Sequence, residues 1–255
     1  MKNIFQYMNE ESIMGPGTDL VISLVAVLVV LMSLSMAEVQ EQKKELEKLA
    51  NLEDLQEQRD LMDSVRLHQN DIIQGIAQKY TSTAELSGTN RYQIIINAGK
   101  EAEDTIRIYN DATLQRFSFG EKILFRVAKH QLKSEGAEAI STVAEVFKQK
   151  LAKIKEIQIL GHADNSGDDQ VNLKLAALRA IEVFEHLRNN AKIDPIKHLM
   201  SASSYGAYMP VQRNIDNTGY SSEKLSNDNR TEILRDKNRR IEIVLIYRGN
   251  FIINK

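Results

Sequence analysis

Cysteine is absent from the 255 residues, which excludes disulfides and thiolate metal sites and makes an oxidising compartment harmless to the chain. An excess of either charge is missing too. The 33 basic and 35 acidic residues leave a formal net charge of −2, which speaks against direct nucleic-acid binding, where a basic surplus is the rule. Charge is wholly absent from Leu20 to Ala37, and proline from Glu38 to Lys79, where Gly75 is the single glycine. The length suits one domain of ordinary size with appended elements, not two large cores.

The uncharged run LVISLVAVLVVLMSLSMA has about 18 residues, and at roughly 1.5 Å each it spans about 27 Å, enough for a bilayer core. A soluble helix seldom lacks a polar face over five turns. Two membrane readings compete. Ser35-Met36-Ala37 fits the small-x-small rule of a cleaved signal peptide, but the lead carries Glu10, Glu11 and Asp19 against Lys2, where a signal peptide is net positive. The acidic lead favours a retained anchor. Loop charge does not set orientation: Lys43, Lys44 and Lys48 follow the span but alternate with Glu38, Glu41, Glu45 and Glu47.

From Glu38 to about Lys79 the chain favours helix. Val39, Leu46, Leu49, Leu52, Leu55, Met62, Ile73 and Ile76 recur in heptad fashion, with a register shift between Leu49 and Leu52. Gln42, Arg59, Arg66 and Gln69 fall on the same seam, so a coil there is weak, and a solvated single helix is its alternative. Thr81 to Asn90 (TSTAELSGTN) reads as a linker. Short strands are expected at Tyr92–Asn97 and Thr105–Tyr109. FSFGEKILF (Phe117–Phe125) opens a compact αβ region. Within it we expect helices at Glu135–Leu151 and Leu173–Leu187, a helix start near Asp194-Pro195, and strands at Glu156–Leu160, Leu199–Ser203 and Arg240–Tyr247.

The chemistry concentrates in Gly161-His162-Ala163-Asp164-Asn165-Ser166-Gly167, between a strand and a helix that carries Asn172, Leu175 and Arg179. An isolated Asp and Arg at this spacing is usually a solvated pair or a salt bridge of small value. His162 has no partner at metal-ligand spacing among His68, His130, His186 and His198, so no metal site is expected. No nucleophilic triad, phosphate loop or paired-carboxylate motif is present, so neither catalysis nor a cofactor is expected.

GHADNSGDDQVNLKLAALRA resembles the signature of the OmpA C-terminal family, G-H-T-D-x-x-G-x-x-x-x-N-x-x-L-S-x-x-R-A. Tyr205-Gly206 with Met209-Pro210-Val211 is similar to its G-Y-G-E-x-x-P-V turn. Asn229-Arg230 and Asn238-Arg239-Arg240-Ile241-Glu242-Ile243 are similar to its closing N-R-R-V-E-I strand. The likeness covers Phe117 to Tyr247. It departs at Ala163, Ala176, Ser204 and Ala207. The family binds peptidoglycan, and the resemblance implies that Asp164 receives the ammonium and Arg179 the carboxylate of a diaminopimelate side chain. Asn165, Asn172 and Leu175 are expected at the same peptidoglycan-binding site, Asn172 fixing the loop and Leu175 the helix packing. A carboxylate suits an ammonium, and a guanidinium fork suits a carboxylate.

Asp19, Ser23, Ala26, Val30, Ser33 and Ala37 follow at steps of four, three, four, three and four, one helix face that is small or polar except at Val30. An ionisable residue on such a face is a candidate ion carrier. A helix cap after Gly15-Pro16-Gly17-Thr18 is the competing reading. Taken together, the lead, the span, the stalk and the OmpA-like region resemble the B subunits of ion-driven stators, MotB of the flagellar motor and ZorB of the Zorya anti-phage system. That resemblance implies a homodimer inside a ring of multi-span A subunits (MotA- or ZorA-like) with Asp19 carrying the ion. Gly17-Thr18 replaces the aromatic residue common before that Asp, and the basic tail is missing, which favours the Zorya type.

The expected fold is therefore a single N-terminal transmembrane helix, a helical coiled-coil stalk and a C-terminal OmpA-like α+β sandwich. The expected parts are a short cytoplasmic lead (1–18), the span (19–37), the stalk (38–80) and a linker with short strands (81–116). The peptidoglycan-binding domain (117–248) and a tail (249–255) follow. The expected location is a bacterial inner membrane, with the C-terminal domain in the periplasm.

Overall fold

The computed structural model describes residues 16–96, 104–213 and 219–249, with side chains from residue 20 onward. It divides into two compact units, one up to Glu57 and one from Gln58. Most of the expected lead and most of the tail lie outside the described residues, and residues 16–18 of the lead belong to the helix described next.

Helix α1 (Pro16–Lys79) opens on a proline, whose missing N–H is no loss in a first turn. Asp19 is therefore the fourth helical residue. This overturns its reading as a cap, because a cap residue precedes the first helical position. Its side chain lies outside the described residues. Ser23, Ala26, Val30 and Ser33 share one stripe of the helix, since steps of three and four keep to one side at 3.6 residues per turn. Ser33 donates its hydroxyl to the Val29 carbonyl at 2.8 Å, so this polar side chain is satisfied within the helix. The large apolar side chains from Leu20 to Met36 are all exposed. A window of mean hydropathy 2.8 makes the helix long and apolar enough to cross a membrane.

In the second unit the end of α1 is a core element. Val65, Ile72, Ile73, Ile76 and Ala77 are buried in the same cluster as the sheet and helices below. Ile73 and Ile76, read as coil seam positions, thus face this chain's own core, and Gln69 is buried with them. The Gln69 side-chain amide donates to the carbonyls of Asp111 (2.7 Å) and Leu114 (3.0 Å). Gln115 donates to the Gln69 carbonyl at 3.0 Å and accepts from the Tyr247 hydroxyl at 3.1 Å. These bonds satisfy the amide nitrogens of both buried glutamines, as burial demands.

Among the described residues, seven strands form one sheet: β1 (Ala84–Gly88), β2 (Arg91–Ile96), β3 (Asp104–Asn110), β4 (Leu114–Gly120), β5 (Ile154–His162), β6 (Leu199–Gly206) and β7 (Arg240–Tyr247), in the order β1-β2-β3-β4-β7-β5-β6. All neighbours are antiparallel except β5 and β6. That parallel pair needs a crossover, supplied by α4 (Asp169–Asn189). Strand β7, between β4 and β5, is buried at every position but Ile246, with one face on the core and the other carrying the paired Arg240 and Glu242. Phe117, Ile243 and Ile159 align across one face and pack with α1, α3 (Ser134–Lys148) and α4. The short helices α2 (Glu121–Leu124), α5 (Ser222–Asn227) and α6 (Glu232–Asn238) complete the unit.

Two expectations are corrected. The stretch read as linker contains β1, which pairs with β2 from Ala84↔Ile94 to Gly88↔Arg91. Its polar composition reflects an edge strand of which four residues are exposed. At Asp194-Pro195 no helix forms. The Asp194 carboxylate takes the Ile196 N–H at 3.0 Å, closing a side-chain turn instead of a cap. The polar stretch Ile215–Asp228 is described only from residue 219, where it holds α5.

Candidate functional site

The loop after β5 is held at both ends. Before it, Gly161 lies where α4 crosses β5, and a Cβ there would sit 2.0 Å from the Ala176 carbonyl oxygen. After it, Asp168 caps α4 by accepting from the Val171 N–H at 2.9 Å. Between them Asn172 donates its amide to the carbonyls of Ser166 (2.8 Å) and Asp164 (3.3 Å), and Asp164 Oδ1 accepts the Ser166 N–H at 2.8 Å. One carboxylate oxygen of Asp164 is thereby spent on the turn, and the other is aimed away from it. Asn165 and Leu175 are half-buried beside this frame.

Asp164 and Arg179 are both buried, and each already has a charged partner. Arg239 Nη1 donates to Asp164 Oδ2. Arg179 Nη2 donates to Glu121 Oε1 at 2.6 Å, its Nε donates to the Lys129 carbonyl at 2.9 Å, and its guanidinium lies 5.1 Å from the centre of the Phe125 ring. Arg239 Nε and Glu121 Oε2 are 3.7 Å apart. The order of charges is thus Asp164, Arg239, Glu121, Arg179, alternating in sign. Arg239 also bonds Asp236 and, at 2.5 Å, Glu232. Partial burial by itself would loosen the Arg239 proton, but the hydrogen bonds it donates to Glu232, Asp164 and Asp236 outweigh it and raise its pKa. A cavity of about 320 Å³, lined in part by Arg107, Glu121, Lys122, Ile233, Asp236 and Arg239, opens beside the middle of this row.

Arg239 was visible in the sequence as part of a motif without a role, and Glu121 gave no signal at all. Asn229 and Asn238 are buried and bonded to each other at 2.8 Å. Asn238 Oδ1 accepts the Val211 N–H at 2.9 Å, and its amide donates to the Asp228 carbonyl at 3.0 Å. These two motif asparagines tie the segment before β7 to the turn after β6, and so place Arg239.

On the opposite face of the sheet, Arg240 Nε donates to Glu242 Oε1 at 2.7 Å, while Arg116 (3.3 Å) and His162 (3.4 Å) approach Oε2. His162 stacks on Tyr205 with ring centres 5.4 Å apart. Burial and then the Arg240 charge lower the His162 pKa, against smaller opposing effects of Glu242. Burial would raise the Glu242 pKa, but Arg240, His162 and Arg116 together carry it well below the usual carboxylate range. Both shifts act in one direction. The unfolded chain takes a proton at His162 below about pH 6.5 and at Glu242 below about pH 4.3, where the folded chain resists it, so stability falls with acidification. We expect a lower Tm at pH 5.5 than at pH 7.5, with a smaller drop in His162→Gln. An undiminished drop in that variant locates the titration at His186, whose pKa is lowered by burial as well.

Residues 124–239 match the OmpA family model. Motility protein B of Bacillus subtilis (strain 168) is 32% identical over 99 residues, 37% of this chain and 31% of that protein. Outer membrane protein A of Serratia marcescens is 33% identical over 73 residues, 29% of this chain and 20% of that one. The chain thus spans less than a third of either relative. A putative MotB-like protein from Desulfovibrio vulgaris superposes with a TM-score of 0.51 at 19% identity, over 75% of this chain and 99% of that one, which is a likeness of fold. The matched segment, its signature loop and this architecture agree: beyond its long apolar helix, the chain carries a C-terminal OmpA-like mixed α/β domain.

Proposed function

We propose that the chain is a peptidoglycan-anchored B-type subunit of an ion-driven membrane motor. The observation that carries the wall-binding half is the convergence of Asp164 and Arg179, fifteen positions apart by number (179 − 164), into one linked row of charges within the OmpA-like domain. An anionic and a cationic group there match the ammonium and carboxylate of a diaminopimelate side chain. Because peptidoglycan lies outside the inner membrane, this reading puts the domain in the periplasm and the N-terminal side of α1 in the cytoplasm.

The motor half rests on α1. The small and polar stripe Ser23, Ala26, Val30 and Ser33 suits close contact with other membrane helices, and Asp19 continues it. Val39, Leu46, Leu49, Leu52 and Leu55 are exposed along the same helix, an apolar row that fits pairing with a second copy of this chain. A ring of multi-span A subunits around that pair completes the assembly. The missing aromatic residue before Asp19 favours a Zorya-type defence motor over a flagellar one.

The wall-binding test is recovery of the full-length protein, in detergent, on diaminopimelate-type sacculi. Arg179→Ala is expected to weaken binding by roughly 30-fold or more, the scale for truncating one partner of a buried charged contact. Unchanged recovery of a folded Arg179→Ala protein removes the site assignment.

A further inference from the structure

We propose that Glu121 and Arg239 form an internal stand-in for the ligand's zwitterion, and that peptidoglycan binds by exchanging ion pairs with them. The inference rests on the wall-binding reading above.

As the side chains stand, neither ligand-binding group is available. The Arg179 side chain is 6% exposed and Asp164 7%. Glu121 presents its carboxylate to Arg179, as the diaminopimelate carboxylate would, and Arg239 presents its cation to Asp164, as the ammonium would. An incoming zwitterion cannot add to these contacts. It has to replace them.

Replacement is feasible because the two displaced groups are each other's partners. Glu121 and Arg239 already lie 3.7 Å apart, so when both leave they close a pair of their own. Arg239 also keeps Glu232 and Asp236, both carried by α6, and Lys122 helps to hold Asp236 in place at 2.5 Å. The cavity beside the row gives the released pair somewhere to move. The two outer ion pairs, Asp164–Arg239 and Arg179–Glu121, become two ligand ion pairs while the Glu121–Arg239 pair between them is kept, with no charge left buried alone. That last condition matters most, since an unpaired buried charge is the costly outcome.

Glu121 thereby sets affinity and specificity. A ligand offering only one of the two charges leaves Asp164 or Arg179 without a partner when the internal pairs open, so it binds poorly. This is discrimination by unpaired polar groups rather than by shape.

The test uses the full chain in detergent with a diaminopimelate-containing disaccharide tripeptide. Glu121→Gln keeps the side-chain shape and removes the competing charge, and it is expected to bind about tenfold more tightly than the parent, about 1.4 kcal/mol. Equal or weaker binding by Glu121→Gln, with Arg179→Ala still inactive, overturns the exchange and leaves the site in place. Binding retained by Arg179→Ala overturns the site itself and the exchange with it. A second measurement needs no variant: during titration of the unaltered protein, the Arg239 Nε–H resonance should shift together with that of Arg179. A shift at Arg179 alone contradicts the exchange.

Discussion

Gly161→Ala is expected to destabilise the OmpA-like domain by about 3 kcal/mol or more, the upper range for forcing an extra methyl into a packed site. For a unit of this size that is a fall in Tm of roughly 6–12 °C. The new Cβ would lie 2.0 Å from the carbonyl oxygen of Ala176 and 2.7 Å from its carbonyl carbon. Both are backbone atoms in the middle of α4, so no side-chain rotation relieves the clash, and the helix has to lift from β5. Since α4 carries Asn172 and Arg179, wall binding should weaken beyond the loss of stability. Gly75→Ala is the control. Its Cβ would meet Val146 Cγ1 at 2.7 Å, a stiff β-branched side chain that yields only by a small shift of α3, and the gain of about 1 kcal/mol from Gly to Ala in a helix interior offsets that cost. Calorimetry on the two variants should show a large drop for the first and little change for the second. Comparable Tm values would mean that the close approach of α4 to β5 does not hold the domain together.

The contrast between these glycines also marks what could be read from the chain. RIEIVLIY declared β7 in full because Ile241, Ile243, Leu245 and Tyr247 alternate along its core face in a run rich in β-branched residues. The α4 loop was legible because Asp164, Asn172 and Arg179 sit in one continuous motif. Gly75 was noticed as the single glycine of a helical stretch, yet its meaning is tertiary: α1 touches α3 there. The heptad pattern through Ile73 and Ile76 was genuine apolar periodicity, but periodicity does not say whether the partner is another chain or this one. Edge strand β1 was hidden because four of its five residues are exposed, so both faces meet solvent and no apolar alternation announces it. The ion pairs of the site join residues 58 and 75 positions apart, and no local pattern encodes such a pairing. Motif matching singled out Asp164 and Arg179; only the fold shows that Arg239 and Glu121 pair with them.

Asp19→Asn is expected to abolish motor output while leaving membrane insertion, assembly and wall binding intact. A charged carboxylate bordering hydrocarbon is expensive and is retained where it has work to do. In an ion-driven stator that work is to take up and release the ion within a ring of partner subunits. Asparagine has nearly the same size and polarity but no titratable proton, so only the transfer step should fail. The competing account is structural. Helix α1 begins at Pro16, so Asp19 is in its first turn, where a negative charge interacts favourably with the helix dipole by about 0.3–1 kcal/mol. A contribution that small, in a helix of 64 residues, predicts nearly normal function for Asn and for Ala alike. The ion-carrier account instead predicts no activity for Asn or Ala and partial activity for Glu, which keeps the carboxylate on a longer arm. The three variants should be compared in one activity assay, swimming or phage protection as the host dictates, at matched membrane levels and with wall binding measured in parallel. Full activity of Asp19→Asn would leave the chain as a passive link between membrane and wall.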